Sequence, residues 1–190
     1  WKSPFDLAIY SRLLWDIKPR TIIEIGTHAG GSALWYGDQL KAFGIDGTVH
    51  SVDNKSLGLR HGKIPDLPLQ DNVNFYTGDA LDLVSTFSDE WIAQQPRPIF
   101  VVEDSLHDAA TSLAALRWFS RWAAIGEYIT IEDGNTNEII PNGHPCGGPL
   151  VAINTFLEEN GDKYAIDRSY CDMFGKNVNY APDGYIFRQG

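Results

Sequence analysis

The chain has 190 residues, of which 43% are hydrophobic and 21% charged, and a formal net charge of −10 at pH 7. That length supports one domain with a sizeable core, and the acidic balance argues against a nucleic-acid partner, which would need a basic face. No apolar run is long enough to cross a bilayer and no secretory signal opens the chain, so no membrane partner is expected. Cys146 and Cys171 lack metal-site spacing and do not suggest a disulfide framework, which makes a reducing, cytoplasmic setting the default. Opening at Trp1 with no initiator Met, the sequence reads as a single domain over 1–190, trimmed at its N-terminus.

Phe5, Leu7, Ile9, Tyr10, Leu13, Leu14 and Ile17 recur at close to helical period. Pro4 and Asp6 supply the start of this helix and Lys18-Pro19 its end, and it is expected beside a sheet, over a cofactor pocket. Next comes TIIEIGTHAGGS, from Thr21 to Ser32. Ile22, Ile23 and Ile25 read as a strand buried on both faces, interrupted by the acid Glu24. Gly26, Gly30 and Gly31 then lead into a helical pattern that begins at Ser32 and runs through Ala33, Leu34, Tyr36 and Leu40. A strand passing through a glycine turn into a helix offers bare backbone N–H groups to a nucleotide-like cofactor. The spacing Gly26-x-x-x-Gly30-Gly31 lacks the tight pyrophosphate turn of G-x-G-x-x-G. With its acid and its wider loop containing Thr27, the stretch is similar to the first motif of class I S-adenosylmethionine-dependent methyltransferases; an ordinary βα turn is the alternative.

Gly47 to Asp53 reads as a second strand, whose terminal Asp53 either binds ribose hydroxyls or caps the following turn. Asn54 to Asp71 is loop-like, with Gly58, Gly62, Pro65 and Pro68. Asn72 to Thr77 is a third strand, and Asp79 just beyond it lies near an adenine or caps a helix expected from Ala80 to about Gln94. After Pro96-Arg97-Pro98, the run Ile99 to Val102 is a buried strand that ends in Glu103-Asp104-Ser105-Leu106-His107-Asp108. A helix carrying Leu113, Leu116, Trp118, Phe119 and Trp122 follows, up to Gly126. Tyr128 to Ile131 is a fifth strand and ends in Glu132-Asp133. Two neighbouring parallel strands thus deliver acids to one sheet edge, an arrangement that suits Mg²⁺ or a similar hard cation held by Asp104, Glu132 and Asp133. His107 reads as a general base, with metal ligand and helix start as alternatives. Asn135 to Gly148 is a candidate substrate lid. A helix from Pro149 to near Asn160-Gly161 precedes two final strands, Lys163–Asp167 and Gly184–Arg188, which would close the sheet in antiparallel fashion.

Taken together, the sequence resembles the cephalosporin hydroxylase family, whose members are similar to O-methyltransferases of macrolide and rhamnosyl natural-product pathways. The resemblance rests on Trp1-Lys2-Ser3-Pro4 with Asp6, on Ile22 to Leu34, on SVD at Ser51 to Asp53 and on DSLH at Asp104 to His107. It continues with IED at Ile131 to Asp133, NGHP at Asn142 to Pro145, and Pro182 to Arg188. It departs at Cys146-Gly147-Gly148-Pro149, where the family tends towards Gly-Pro-Gly-Pro.

The resemblance implies a Rossmann-like α/β class I methyltransferase fold, with a mostly parallel seven-stranded sheet, helices on both faces and an antiparallel C-terminal strand. It implies S-adenosyl-L-methionine among Gly26, Gly30, Ser32 and Asp53, to which Glu24, Thr27, Asp79 and Asp104 are added as neighbours. It also implies Mg²⁺ on Asp104, Glu132 and Asp133. The expected reaction is methyl transfer to a hydroxyl of a small natural-product or sugar-like acceptor, with Asp104 or His107 receiving the proton. A metal-dependent hydroxylase, a nicotinamide enzyme and a non-catalytic cofactor-binding module are the alternatives, and a homo-oligomer is compatible with the sequence.

Overall fold

The computed structural model describes residues 2–56, 70–140, 146–176 and 178–190. Trp1, the loop positions Gly58, Gly62, Pro65 and Pro68, and Asn142-Gly143-His144-Pro145 lie outside the described residues.

Helix α1 (Pro4–Ile17) begins at Ser3, whose hydroxyl accepts the Asp6 N–H at 3.1 Å while the Asp6 carboxylate accepts the Ser3 N–H at 3.0 Å. This reciprocal capping satisfies helix-end donors that would otherwise be orphaned. The other Asp6 oxygen accepts the N–H of Tyr180, so the start of α1 is tied to the C-terminal segment. Lys18, in the left-handed region, ends the helix.

Among the described residues seven strands form one sheet: β1 (Thr21–Ile25), β2 (Thr48–Asp53), β3 (Val73–Thr77), β4 (Ile99–Glu103), β5 (Tyr128–Ile131), β6 (Tyr164–Ile166) and β7 (Tyr185–Arg188). Their order is β3-β2-β1-β4-β5-β7-β6. The first five run parallel, and β7 is antiparallel to both β5 and β6. Because side chains alternate across a strand, β1 feeds two cores. Ile22 packs with Phe100, Val102, Leu34, Leu40 and Leu13, on the face covered by α1 and α2 (Gly31–Ala42). Ile23 and Ile25 pack with Val101, Ile129, Leu116 and Phe156, on the opposite face. The sheet therefore reads as apolar runs because both of its faces are covered.

The single helix expected from Ala80 to Gln94 is instead two short ones, α3 (Leu83–Thr86) and α4 (Asp89–Ala93). Asp82 and Ser88 break it. Their side chains accept the N–H groups of Ser85 and Trp91, each starting a new helix. Beyond β4 comes α5 (Ala109–Ser120), and beyond β5 the one-turn α6 (Thr136–Ile139) inside the expected loop. Helix α7 (Gly148–Asn160) and the short α8 (Arg168–Cys171) complete the chain. No helix among the described residues is long and apolar enough to cross a membrane. The parallel order reverses direction between β1 and β4, so the loops after these two strands part and leave a crevice at their carboxyl ends.

Candidate active site

That crevice is a cleft of about 840 Å³ walled by the loops after β1, β2, β3 and β4. Gly26 N–H donates to the Val52 carbonyl at 2.8 Å, fastening the glycine loop to the end of β2. The opposite side of Gly26 touches the loop after β4. A Cβ there would lie 2.0 Å from the Asp104 carbonyl oxygen, and φ is +106°. Only glycine fits, and the cofactor loop and the acid-bearing loop are thereby in direct contact. At Gly31 no atom of the described residues lies within 4 Å of the place a side chain would take. Gly30, in the left-handed region, provides the N-cap of α2 with no side-chain cap bond. The first turn of the helix therefore presents its N–H groups to the cleft, an anion-favouring arrangement.

Of the eight residues expected around the cofactor, Gly26, Thr27, Ser32, Asp53, Asp79 and Asp104 line the cleft. Glu24 lies beneath it, fully buried, with Ser51 donating to Oε2 and with Oε1 lacking a partner among the described residues. Burial pushes its carboxyl up to about 7, against the pull of Lys2, Ser32 and Ser51. Gly30 shapes the turn from behind. Asp53 holds the loop in place, accepting the N–H groups of His28 at 2.8 Å and Lys55 at 3.1 Å. Asp79 accepts the Leu81 N–H at 2.9 Å, and the helix cap assigned to it belongs to Asp82.

At the ends of β4 and β5, His107 Nε2 stands 3.1 Å from Asp104 Oδ1 and 3.0 Å from Asp133 Oδ2. His107 (φ 57°) and Asp133 (φ 54°) both hold left-handed backbone, which aims their side chains at each other. The hydrogen bonds to Asp104 and Asp133 raise the imidazole to about 10, so it is protonated at neutral pH. Burial acts to raise Asp104, but the bond from His107 and the charge of Lys2 outweigh it and bring the carboxyl down to about 2. One atom each from Asp104, His107 and Asp133 falls within 4.8 Å of the others, as a bound cation requires.

Glu132, expected beside Asp104 and Asp133 as a third carboxylate, is outside that group. Its Oε1 accepts the Tyr10 hydroxyl at 2.6 Å and also the Lys2 ammonium. Burial acts to raise its carboxyl, against the pull of the Lys2 ammonium. Glu103 is occupied structurally, accepting the Ser112 hydroxyl at 2.7 Å and the Ser105 N–H at 3.1 Å, which shapes the loop carrying Asp104.

Two contributors escaped the sequence reading of chemistry. Lys2, whose side chain is 6% exposed, bridges Asp104 (3.0 Å) and Glu132. Burial works against its charge, but the carboxylates of Glu132 and Asp104 hold the ammonium firmly protonated. Tyr10, apparently one more apolar residue of α1, aims its hydroxyl at Glu132. The available signal was a lysine directly before the conspicuous Ser3–Asp6 helix start, where Asp6 is already taken up by the cap.

The family model described as Rhamnosyl O-methyltransferase/CmcI matches residues 1–189. The chain is 30% identical over 200 residues to a rhamnosyl O-methyltransferase of Mycobacterium bovis (strain BCG / Pasteur 1173P2), covering 99% of this chain and 75% of that protein. A solved CmcI structure with Mg and SAM superposes with a TM-score of 0.74 at 25% identity, over 100% of this chain and 73% of that one. TomG, an O-methyltransferase from Streptomyces achromogenes solved with SAM, shares the fold at a TM-score of 0.63 and 17% identity, over 99% of this chain and 81% of that one. The expected fold class and family are both met: this chain belongs to the rhamnosyl O-methyltransferase/CmcI family.

Proposed function

We propose that the chain transfers a methyl group from S-adenosylmethionine to a hydroxyl of a deoxysugar-like acceptor, assisted by a divalent cation. The observation that carries this reading is the contact of Gly26 with the Asp104 carbonyl, which joins a cofactor-shaped glycine loop to a carboxylate and imidazole cluster in one cleft. The residues fit both groups. The carboxylate oxygens of Asp104 and Asp133 suit Mg²⁺ or Mn²⁺, and the uncapped α2 N-terminus and the space at Gly31 suit the carboxylate end of an amino-acid-derived cofactor.

When bound, the cofactor supplies an activated methyl group and the cation polarises the acceptor oxygen. The chain's own residues do the remaining work. Backbone N–H groups of the glycine turn would anchor the donor, Asp53 would accept ribose hydroxyls, and Asp79 would stand towards the adenine. Asp104, His107 and Asp133 gather at the acceptor side, where holding the hydroxyl in line with the methyl group lowers the barrier by orientation. Asp104 and His107 are the proton receivers within reach, and His107 can receive one only after giving up its own. A hydroxylase built on a two-histidine, one-carboxylate iron site is disfavoured, since the described grouping holds one histidine and two carboxylates.

The test incubates the protein with radiolabelled cofactor and a panel of rhamnosylated acceptors. Label transfer should vanish with chelator, return with Mg²⁺, and be lost in Asp104→Ala. Transfer indifferent to both chelator and that substitution would overturn the reading.

A further inference from the structure

The Lys2 ammonium sits between Asp104, which the function proposed above assigns to a cation, and Glu132, and this inference rests on that function. Nζ is 3.0 Å from Asp104 Oδ2 and also pairs with Glu132 Oε1, and the side chain is 6% exposed. It lies 5.6 Å from the centre of the Tyr10 ring, and the Tyr10 hydroxyl donates to the same Glu132 oxygen. Glu132 is thereby held apart from Asp104, His107 and Asp133, which meet within 4.8 Å without it. The lysine is placed by the reciprocally capped start of α1, itself pinned to the Tyr180 N–H through Asp6. A positive charge is thus fixed structurally where a second cation would need the same oxygens.

We propose that Lys2 is an internal competitor for the divalent cation. Its ammonium neutralises Asp104 and Glu132 while the site holds no metal, and Glu132 turns to the cation only as the ammonium withdraws. Two consequences follow. Removing the charge strengthens metal binding, because a cation a few ångströms from a divalent ion opposes it even in a watery dielectric. Metal binding, in turn, drives the Lys2 side chain towards solvent.

Mn²⁺ binding is read by electron paramagnetic resonance on the full chain without cofactor or acceptor. Lys2→Met should bind Mn²⁺ roughly tenfold more tightly than wild type or better, while Lys2→Arg, which keeps the charge, should stay near wild type. In wild-type protein, acylation of the Lys2 amine should be slow and should accelerate severalfold on adding Mn²⁺, with the half-exposed Lys41 as an unchanging reference. The labelling measurement stands even if Lys2→Met fails to fold. A folded Lys2→Met variant that binds Mn²⁺ no more tightly, or Lys2 labelling unmoved by saturating Mn²⁺, overturns the proposal. Failure of the metal site itself looks different: neither wild type nor Lys2→Met then binds Mn²⁺ in a manner abolished by Asp104→Asn.

Discussion

Two glycines five residues apart should respond to alanine in opposite ways. At Gly26 an added methyl would lie 2.0 Å from the Asp104 carbonyl oxygen and 2.5 Å from its carbon, with φ at +106°. Backbone atoms cannot rotate away as a flexible side chain can, so the β1 and β4 loops must separate. Overpacking of this kind costs about 1–3 kcal/mol, and alanine in this backbone region costs about 1–3 kcal/mol more. For a 190-residue chain each kcal/mol moves Tm by about 2–4 °C, so Gly26→Ala should melt about 4–24 °C below wild type. At Gly31 there is no neighbour within 4 Å among the described residues, and the residue opens α2. Alanine there should leave Tm unchanged or raise it, by up to about 1 kcal/mol of helix preference. The new methyl would intrude on the cleft, so S-adenosylhomocysteine measured by calorimetry should bind at least roughly tenfold more weakly, a loss of about 1.4 kcal/mol. Calorimetric melts and titrations on the two variants decide the matter. Wild-type melting in Gly26→Ala, or a destabilised Gly31→Ala, would show that the contact between the loops has been misjudged.

Glu127, 3% exposed, accepts the N–H groups of Ile99 and Ala124 at 2.7 Å each, and Arg97 pairs with it. Glu127→Ala strands these donors and should cost about 2–4 kcal/mol by urea denaturation; a loss below about 1 kcal/mol, as for an ordinary surface change, would contradict the assignment. Burial brings His50 down to about 4 from an ordinary 6.5. The unfolded chain therefore binds the extra proton first, and this contribution to stability, complete above pH 6.5, is lost as pH falls towards 4. His50→Gln should flatten that part of the urea midpoint against pH, and an unchanged profile would count against it. Cys171 is buried, and burial raises its thiol to about 11, whereas Cys146 is exposed. A thiol reagent near neutral pH should modify Cys146 rapidly and Cys171 only on unfolding, as peptide mapping would reveal.

The sheet was legible because β1 and β4 are apolar runs whose residues, Ile22 and Ile23 or Phe100 and Val101, enter opposite cores. The segment from Ala80 to Gln94 was not. Its apolar positions Leu83, Phe87 and Ile92 keep near-helical spacing although the backbone restarts twice at Asp82 and Ser88, short polar residues whose capping competes with continuation. The acids after β4 and β5 were visible as chemistry, since a carboxylate at the end of a parallel strand has few other places to go. Their division of labour was hidden. Which oxygens turn towards His107 and which towards Lys2 depends on partners 102 and 130 residues away in sequence, and no local pattern records such a pairing.

The left-handed backbone at His107 and Asp133 has a cost. Glycine would relax either position and release roughly 1 kcal/mol or more of local strain, yet would delete the very group that the bend presents. It would also break the pairing of His107 with Asp104 and Asp133, so relief of the bend and loss of the pairing pull stability in opposite directions. A glycine variant at either position that melts no lower than wild type would show that the bend outweighs the pairing there, and that the side chain is kept for its chemistry.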